Sequence, residues 1–152
     1  MSTSTLRIAP RSLIVILMAL AALLPQAASG LSKETPYLTL ARLASALSGG
    51  DGVATLLAFD PGMKGFGALE GATQALVAQA EVLCSIEVLQ EKTMGGDMLL
   101  DTDWYLQIKS RAAGGPTERR RERVSVTMRV IAGRWRIVAL SSTAMLAPLQ
   151  IQ

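Results

Sequence analysis

Two hydrophobic rhythms divide the chain after residue 30. Between Thr35 and Gln79 apolar residues recur at three- and four-residue spacing, as on one face of a helix, and from Ala80 onward they fall at every second position, as in half-buried strands. In the first part, Leu40, Leu43, Ala44 and Leu47 share a face behind Thr35-Pro36, an N-cap with proline in the first turn, and ahead of the stop Gly49-Gly50. Asp51 caps a shorter second helix carrying Val53, Leu56 and Leu57, which the turn cluster Asp60-Pro61-Gly62 ends. A third helix runs from about Phe66 to Gln79 with Leu69, Thr73, Leu76 and Ala80 on one side. In the second part, Val82, Cys84, Ile86 and Val88 mark strand one, and Thr102, Trp104, Leu106 and Ile108 mark strand two. Val124, Val126, Met128 and Val130 mark strand three, and Trp135, Ile137 and Ala139 mark strand four. Gly95-Gly96-Asp97, the loop Ala112 to Glu118, and Ala132-Gly133 are the turns between them.

Three helices followed by four turn-linked strands predict an α+β fold, with the helices packed on one face of a curved, four-stranded antiparallel sheet. Parity sends Cys84, Ile86, Trp104, Leu106, Val126, Met128, Trp135 and Ile137 inward, and every one of them is apolar. The acidic Glu87, Asp101 and Asp103 and the basic Arg123, Arg129, Arg134 and Arg136 share the outward face, where cross-strand pairs contribute about 0.2–1 kcal/mol each.

The start of the chain follows neither rhythm. Arg7 and Arg11 precede an unbroken apolar run from Leu13 to Leu24, closed by Pro25 and the small residues Ala27-Ala28-Ser29-Gly30. That order is the order of a cleavable export signal over residues 1–30, and the run is shorter than the roughly 20 apolar residues a spanning helix needs. The expectation is an exported protein, periplasmic or extracellular, with one domain over residues 31–152 and no stable membrane anchor after cleavage.

Charge and composition narrow the chemistry. The formal net charge is +3, but Arg7 and Arg11 belong to the signal. Residues 31–108 carry four Lys and Arg against ten Asp and Glu, while residues 109–136 carry nine against two, so the two parts attract. Cys84 is the only cysteine, which leaves the domain no internal disulfide. Histidine and asparagine are absent, which removes histidine-based acid–base catalysis, histidine-built triads, imidazole metal ligation and asparagine-linked glycosylation.

Leu57-Ala58-Phe59-Asp60-Pro61 at the end of the helical hairpin, a third helix before the sheet, Asp103-Trp104-Tyr105-Leu106 on one strand, and Gly133-Arg134-Trp135-Arg136-Ile137-Val138 on the last together carry a resemblance. Over most of residues 35–147 the chain resembles the nuclear transport factor two-like superfamily, the cone-shaped, cystatin-like α+β fold shared by ketosteroid isomerases, SnoaL-like cyclases and many exported proteins of unassigned role. The resemblance implies a sheet curled around the third helix, with a pocket at the wide end of the cone that enzymes of the family fill with acid–base groups. Isomerase members use a buried carboxylate base with a tyrosine and a protonated acid as oxyanion donors, and no inward carboxylate here matches them. The residues expected at the pocket are Trp104, Leu106, Met128, Trp135 and Ile137, and they make it apolar. Relatives often dimerise through the outer sheet face, which here implies a homodimer through Tyr105, Gln107, Thr127, Val138 and Leu140.

The leading expectation is an exported, non-catalytic binding or interaction domain taking a small apolar ligand, with no cofactor, no metal ion and no nucleic-acid partner. The alternative is an isomerase- or cyclase-type enzyme. A one-residue slip of strand two reverses its faces and would carry Asp101, Asp103 and Tyr105 into the pocket as an acid–base set. Unslipped, the two aspartates pair with outward arginines and serve neither as base nor as cation site. Arg119, Arg120, Arg121 and Arg123 have no interleaved aromatics for base stacking and are diluted by Glu118 and Glu122, so they read as a solvated hairpin end that discourages edge pairing. A third class, salt-sensitive attachment to envelope lipid or acidic polymer, would use the same arginines. Cys84 lacks an activating partner and reads as a small apolar core residue. Gly65-Phe66-Gly67 with Gly71 misses the dinucleotide fingerprint by one position.

Overall fold

Thr35 caps the first helix: its backbone is extended, and its hydroxyl accepts from the Leu38 amide at 3.2 Å at the start of α1 (Pro36–Ser48). The structure is a computed structural model that describes residues 34–150. The expected export signal, residues 1–30, lies outside them. Leu40, Leu43 and Leu47 are buried along one side of α1, and α2 (Gly52–Leu56) follows at once, capped by Asp51 through the Ala54 amide at 2.8 Å. The third helix, α3 (Phe66–Gln79), buries Leu69, Thr73 and Leu76. Its cap position is Gly65 at φ +82°, a left-handed backbone that glycine adopts without strain, and no side chain caps it.

Four antiparallel strands follow: β1 (Ala80–Met94), β2 (Asp97–Ser110), β3 (Thr117–Ile131) and β4 (Arg134–Leu140), joined in sequence order. The predicted α+β arrangement and strand count are therefore observed. The register of β2 is unslipped. Trp104 stands opposite Ile86, Leu106 opposite Cys84 and Ile108 opposite Val82, all on the helical side, and Thr102, Trp104, Leu106 and Ile108 are buried. The Trp104 indole N–H donates to the Thr102 hydroxyl at 2.7 Å, and that hydroxyl donates to the Val124 carbonyl at 2.6 Å, so the buried indole donor is satisfied through a relay. Phe59, Leu43, Leu69, Leu76, Met128 and Ile137 complete the centre of the core.

Both edge strands are partly covered. The Cys84 amide on β1 donates to the Ser48 hydroxyl at 2.9 Å. On β4, Ile137 donates to the Ala58 carbonyl at 2.8 Å and accepts from the Asp60 amide at 2.9 Å, a short parallel bridge with Phe59. Such cover blunts the tendency of an edge to recruit other strands.

Two bulges change the parity read from the sequence. In β1 Val88 and Gln90 pair with consecutive residues of β2 and leave Leu89 extra; in β4 Ile137 and Ala139 pair with consecutive residues of β3 and leave Val138 extra. An extra residue reverses the facing of everything after it. Ala139, expected inward, is exposed, and Leu140, expected on the outer face, packs against the core. Val130, also expected inward, is 48 % exposed at the end of β3.

A second departure lies at the start of β3, which begins before the position expected for strand three. Glu118, Arg120 and Glu122 stand opposite Ile108, Leu106 and Trp104, on the inner side of the sheet. What covers Arg120 is the chain after β4: Met145, Leu146 and Leu149 are buried, a 3₁₀ turn spans Ala144–Leu146, and the Leu149 amide donates to the Gln79 side chain at 2.9 Å. Arg120 fastens this segment. Its guanidinium donates to the carbonyls of Met145 (3.1 Å), Ala147 (2.5 Å) and Pro148 (3.4 Å), and to Glu118 at 2.7 Å. With a side chain only 13 % exposed, Arg120 corrects the expectation of a wholly solvated arginine cluster.

Candidate ligand cleft

A cleft of about 360 Å³ opens where α1, α2 and the start of β4 meet. Helical spacing on α1 turns Thr39, Leu43 and Ala46 toward it, the end of α2 supplies Ala54, Leu57 and Ala58, and β4 supplies Arg134 and Trp135. The walls are mostly apolar, and the alanines leave the room that larger side chains would fill. Two hydrogen-bonded ties hold the walls in place. The Thr39 hydroxyl donates to the Trp135 carbonyl at 3.3 Å, joining α1 to β4. The Arg136 guanidinium donates to the carbonyls of Leu57 at 2.7 Å and Phe59 at 3.2 Å, joining the end of α2 to the same strand.

Three ionised side chains line the cleft. Glu34 accepts from Arg42 at 2.9 Å, so those two charges neutralise each other. The third, Arg134, has no hydrogen-bond or ion-pair partner among the described residues. A guanidinium stays charged at any accessible pH, so this group is a fixed cation and not a proton shuttle.

Of the five residues expected at a pocket, Trp135 borders this cleft while packing against the core, and Trp104, Leu106, Met128 and Ile137 are fully enclosed by core neighbours. Parity alone does not distinguish a filled interior from a lined hollow. The residues it missed are Leu43, Ala46, Ala54, Leu57 and Arg134, brought together from three elements with no shared sequence signature.

Asp101, Asp103 and Tyr105 all fall on the outer side of β2, so the acid–base set of the enzyme reading is not assembled under the helices. Asp101 accepts from the Ser125 hydroxyl at 3.0 Å. Asp103 takes Arg121 at 2.6 Å, and Asp97 takes Arg129 at 2.6 Å; each arginine holds its aspartate below the usual carboxylate range, chiefly by hydrogen bonding. Arg120 does the same to Glu118. The cross-strand pairing is thus present, but Arg121, and not the directly opposed Arg123, engages Asp103. Arg136, expected to join the outer-face pairs, turns to the two carbonyls instead. Glu118 and Glu122 are inward-side carboxylates that the sequence reading overlooked. They edge a shallow depression with Arg119, Arg120, Arg121, Ala144 and Met145.

Burial pushes the Cys84 thiol up to about 12, which keeps it protonated and unreactive at neutral pH. Among the described residues no cluster of three acidic, cysteine or histidine side chains could hold a metal ion, and no helix is long and apolar enough to cross a membrane.

On the outer face, Tyr105, Gln107 and Thr127 are half-buried. Beside them stand two exposed leucines, Leu83 opposite Gln107 and Leu99 opposite Thr127, 60 % and 36 % exposed. Val138 is the bulge residue of β4, and Leu140 lies on the other side of the sheet.

No family model matches the chain, and no curated protein matches it by sequence. Solved structures match its fold. A scytalone dehydratase-like protein from Novosphingobium aromaticivorans superposes with a TM-score of 0.61 at 8 % identity, over 68 % of this chain and 77 % of that one. A nuclear transport factor 2-like superfamily protein from Salmonella enterica serovar Typhimurium gives 0.55 at 16 % identity, over 76 % and 89 %. A nuclear transport factor 2-like protein of unknown function from Shewanella oneidensis gives 0.53 at 11 % identity, over 68 % and 92 %. The helices and sheet of this chain therefore form a nuclear transport factor 2-like, cystatin-like α+β fold.

Proposed function

We propose that this chain, folded like the nuclear transport factor 2-like proteins, works as an exported, non-catalytic binding domain whose α1–α2–β4 cleft takes a small, largely apolar ligand. The observation that carries this reading is the cleft's lining: apolar walls, one neutralised ion pair and one permanent cation, with no group set to trade protons. The export component draws on the charged, apolar and small-residue order of residues 1–30. A homodimer through the outer sheet face fits the same reading, with Leu83 and Leu99 joining Tyr105, Gln107 and Thr127.

The cleft is tested with Nile red, a neutral apolar fluorophore. Its emission is expected to rise on adding the protein, and the rise is expected to disappear in Ala46→Trp, which fills the cleft, while far-ultraviolet circular dichroism stays unchanged. An undiminished rise in a folded Ala46→Trp protein would place the apolar site elsewhere. Sedimentation at tens of micromolar tests the dimer, and a species that stays monomeric there counts against it.

One observation favours a second reading as a small-molecule enzyme: Glu122 is a half-buried carboxylate on the inner side of β3, beside the shallow depression and without an ion-pair partner among the described residues. Deuterium exchange into an enolisable ketone, catalysed by the wild type and lost in Glu122→Gln, would decide for that reading.

A further inference from the structure

We infer that the cleft selects a single-chain amphiphile with an anionic head, a free medium-chain carboxylate, whose head group rests on Arg134 and whose tail runs along the α1–α2 wall. The inference rests on the binding reading above and adds to it the chemistry of the head group.

Glu34 cancels Arg42, and the remaining lining charge is the single guanidinium of Arg134. A cationic ligand would be repelled, a neutral one would gain nothing from this exposed guanidinium, and an anionic one would pair with it. A carboxylate meets the planar fork of a guanidinium with two parallel hydrogen bonds, the strongest pairing this side chain makes. Arg134 opens β4 directly after Gly133, at φ +76°, and its neighbour on the strand is Trp135, the aromatic wall of the same cleft. Arg136, two residues on, is committed to the Leu57 and Phe59 carbonyls and holds the opposite wall in place. One strand thus supplies the free cation, the aromatic surface and the brace.

Ala46, Ala54 and Leu57 over the buried Leu43 form an apolar wall, with the exposed Ser45 hydroxyl the one polar side chain beside them on α1, which suits methylene groups better than a sugar or peptide. Leu57 is 61 % exposed despite its size, so apolar surface is already presented to solvent at the cleft and is removed from water when a chain lies across it. A cavity of about 360 Å³ is at the small end of the range for ligand sites, which fits one chain of medium length and excludes a two-tailed lipid.

The test is calorimetric titration of the full chain with decanoate, decanol and decyltrimethylammonium, each below its micelle concentration. Decanoate is expected to bind about tenfold tighter than decanol or better, and the ammonium weaker than both. In Arg134→Met the preference for decanoate is expected to vanish while decanol affinity is kept, and Arg134→Lys is expected to restore part of it. Equal affinity for decanoate and decanol in the wild type overturns the inference but leaves the apolar-ligand reading standing. So does a preference that survives Arg134→Met. If neither the three probes nor Nile red binds, the binding reading falls and the inference falls with it. Binding of phosphatidylglycerol vesicles in place of free decanoate would also overturn it, since the cleft would then be reading a membrane surface.

Discussion

At the start of β3, Arg120 lies beneath the C-terminal segment with its guanidinium on three main-chain carbonyls and Glu118. Beyond the other end of β3, across the turn, Arg134 stands at the cleft with no partner among the described residues. The residue type is the same, but only one of the two has its donors filled by its own chain. A cation withdrawn from water needs almost every donor matched, and the folded segment over Arg120 supplies that match. A cation left at the edge of an apolar hollow carries no such obligation and remains available to something else. Arg136 sits between these cases, bonded to two carbonyls but partly open to solvent.

The sharpest way to break the comparison is to remove the buried fastening. Arg120→Met leaves the carbonyls of Met145, Ala147 and Pro148 without their donor and is expected to destabilise the protein by about 2–3 kcal/mol in urea unfolding. Arg120→Lys should recover only part of this, because an ammonium lacks the fork that spans several acceptors. A loss under about 0.5 kcal/mol in Arg120→Met would mean that the segment is held by Met145, Leu146 and Leu149 alone. Arg136→Met is expected to cost about 1–2 kcal/mol and to weaken Nile red binding, since the α2 wall loses its tie to β4.

Acid titration separates the two kinds of charge contact. Asp97, Asp103 and Glu118 are each held below their ordinary values by an arginine donor. Their contribution is therefore in place above the unfolded carboxylate range, near about pH 4, and is lost as pH falls through the lower folded values. Guanidinium–carbonyl contacts do not titrate there, so the deficits of Arg120→Met and Arg136→Met at the Ala147, Pro148, Leu57 and Phe59 carbonyls should persist in acid. Urea midpoints at neutral pH and at about pH 3 check this, and a wild type whose midpoint does not fall in acid would contradict the sign. The smallest effect belongs to Arg134→Met, whose stability should stay within about 0.5 kcal/mol of the wild type by the same measurement.

Much of the fold was legible because its signals are local. The Thr35 and Asp51 caps, the change of period at Ala80 and the inward facing of Trp104 follow from spacing alone. What escaped has physical reasons. Ile137, Val138, Ala139 and Leu140 are all apolar, so alternation could not reveal the bulge at Val138, and the outer-face assignment of Leu140 failed on that one residue. Glu118, Arg120 and Glu122 share the parity of Val124, but charge ordinarily marks the solvent side, and the segment that covers Arg120 shows no period of its own. The cleft was readable only at Trp135, because its other walls are ordinary leucines and alanines of two helices. Leu83 and Leu99, by contrast, were outward by parity and needed only to be noticed as apolar.

The grip of Arg120 has an evolutionary corollary. On the segment above it Arg120 reads only peptide oxygens, its one side-chain partner being Glu118 on its own strand, so Ala144, Ala147 and Pro148 can be exchanged for many residues without disturbing the latch, whereas Arg120 itself admits almost no replacement. Divergence should accumulate on the strap and spare the strand beneath it.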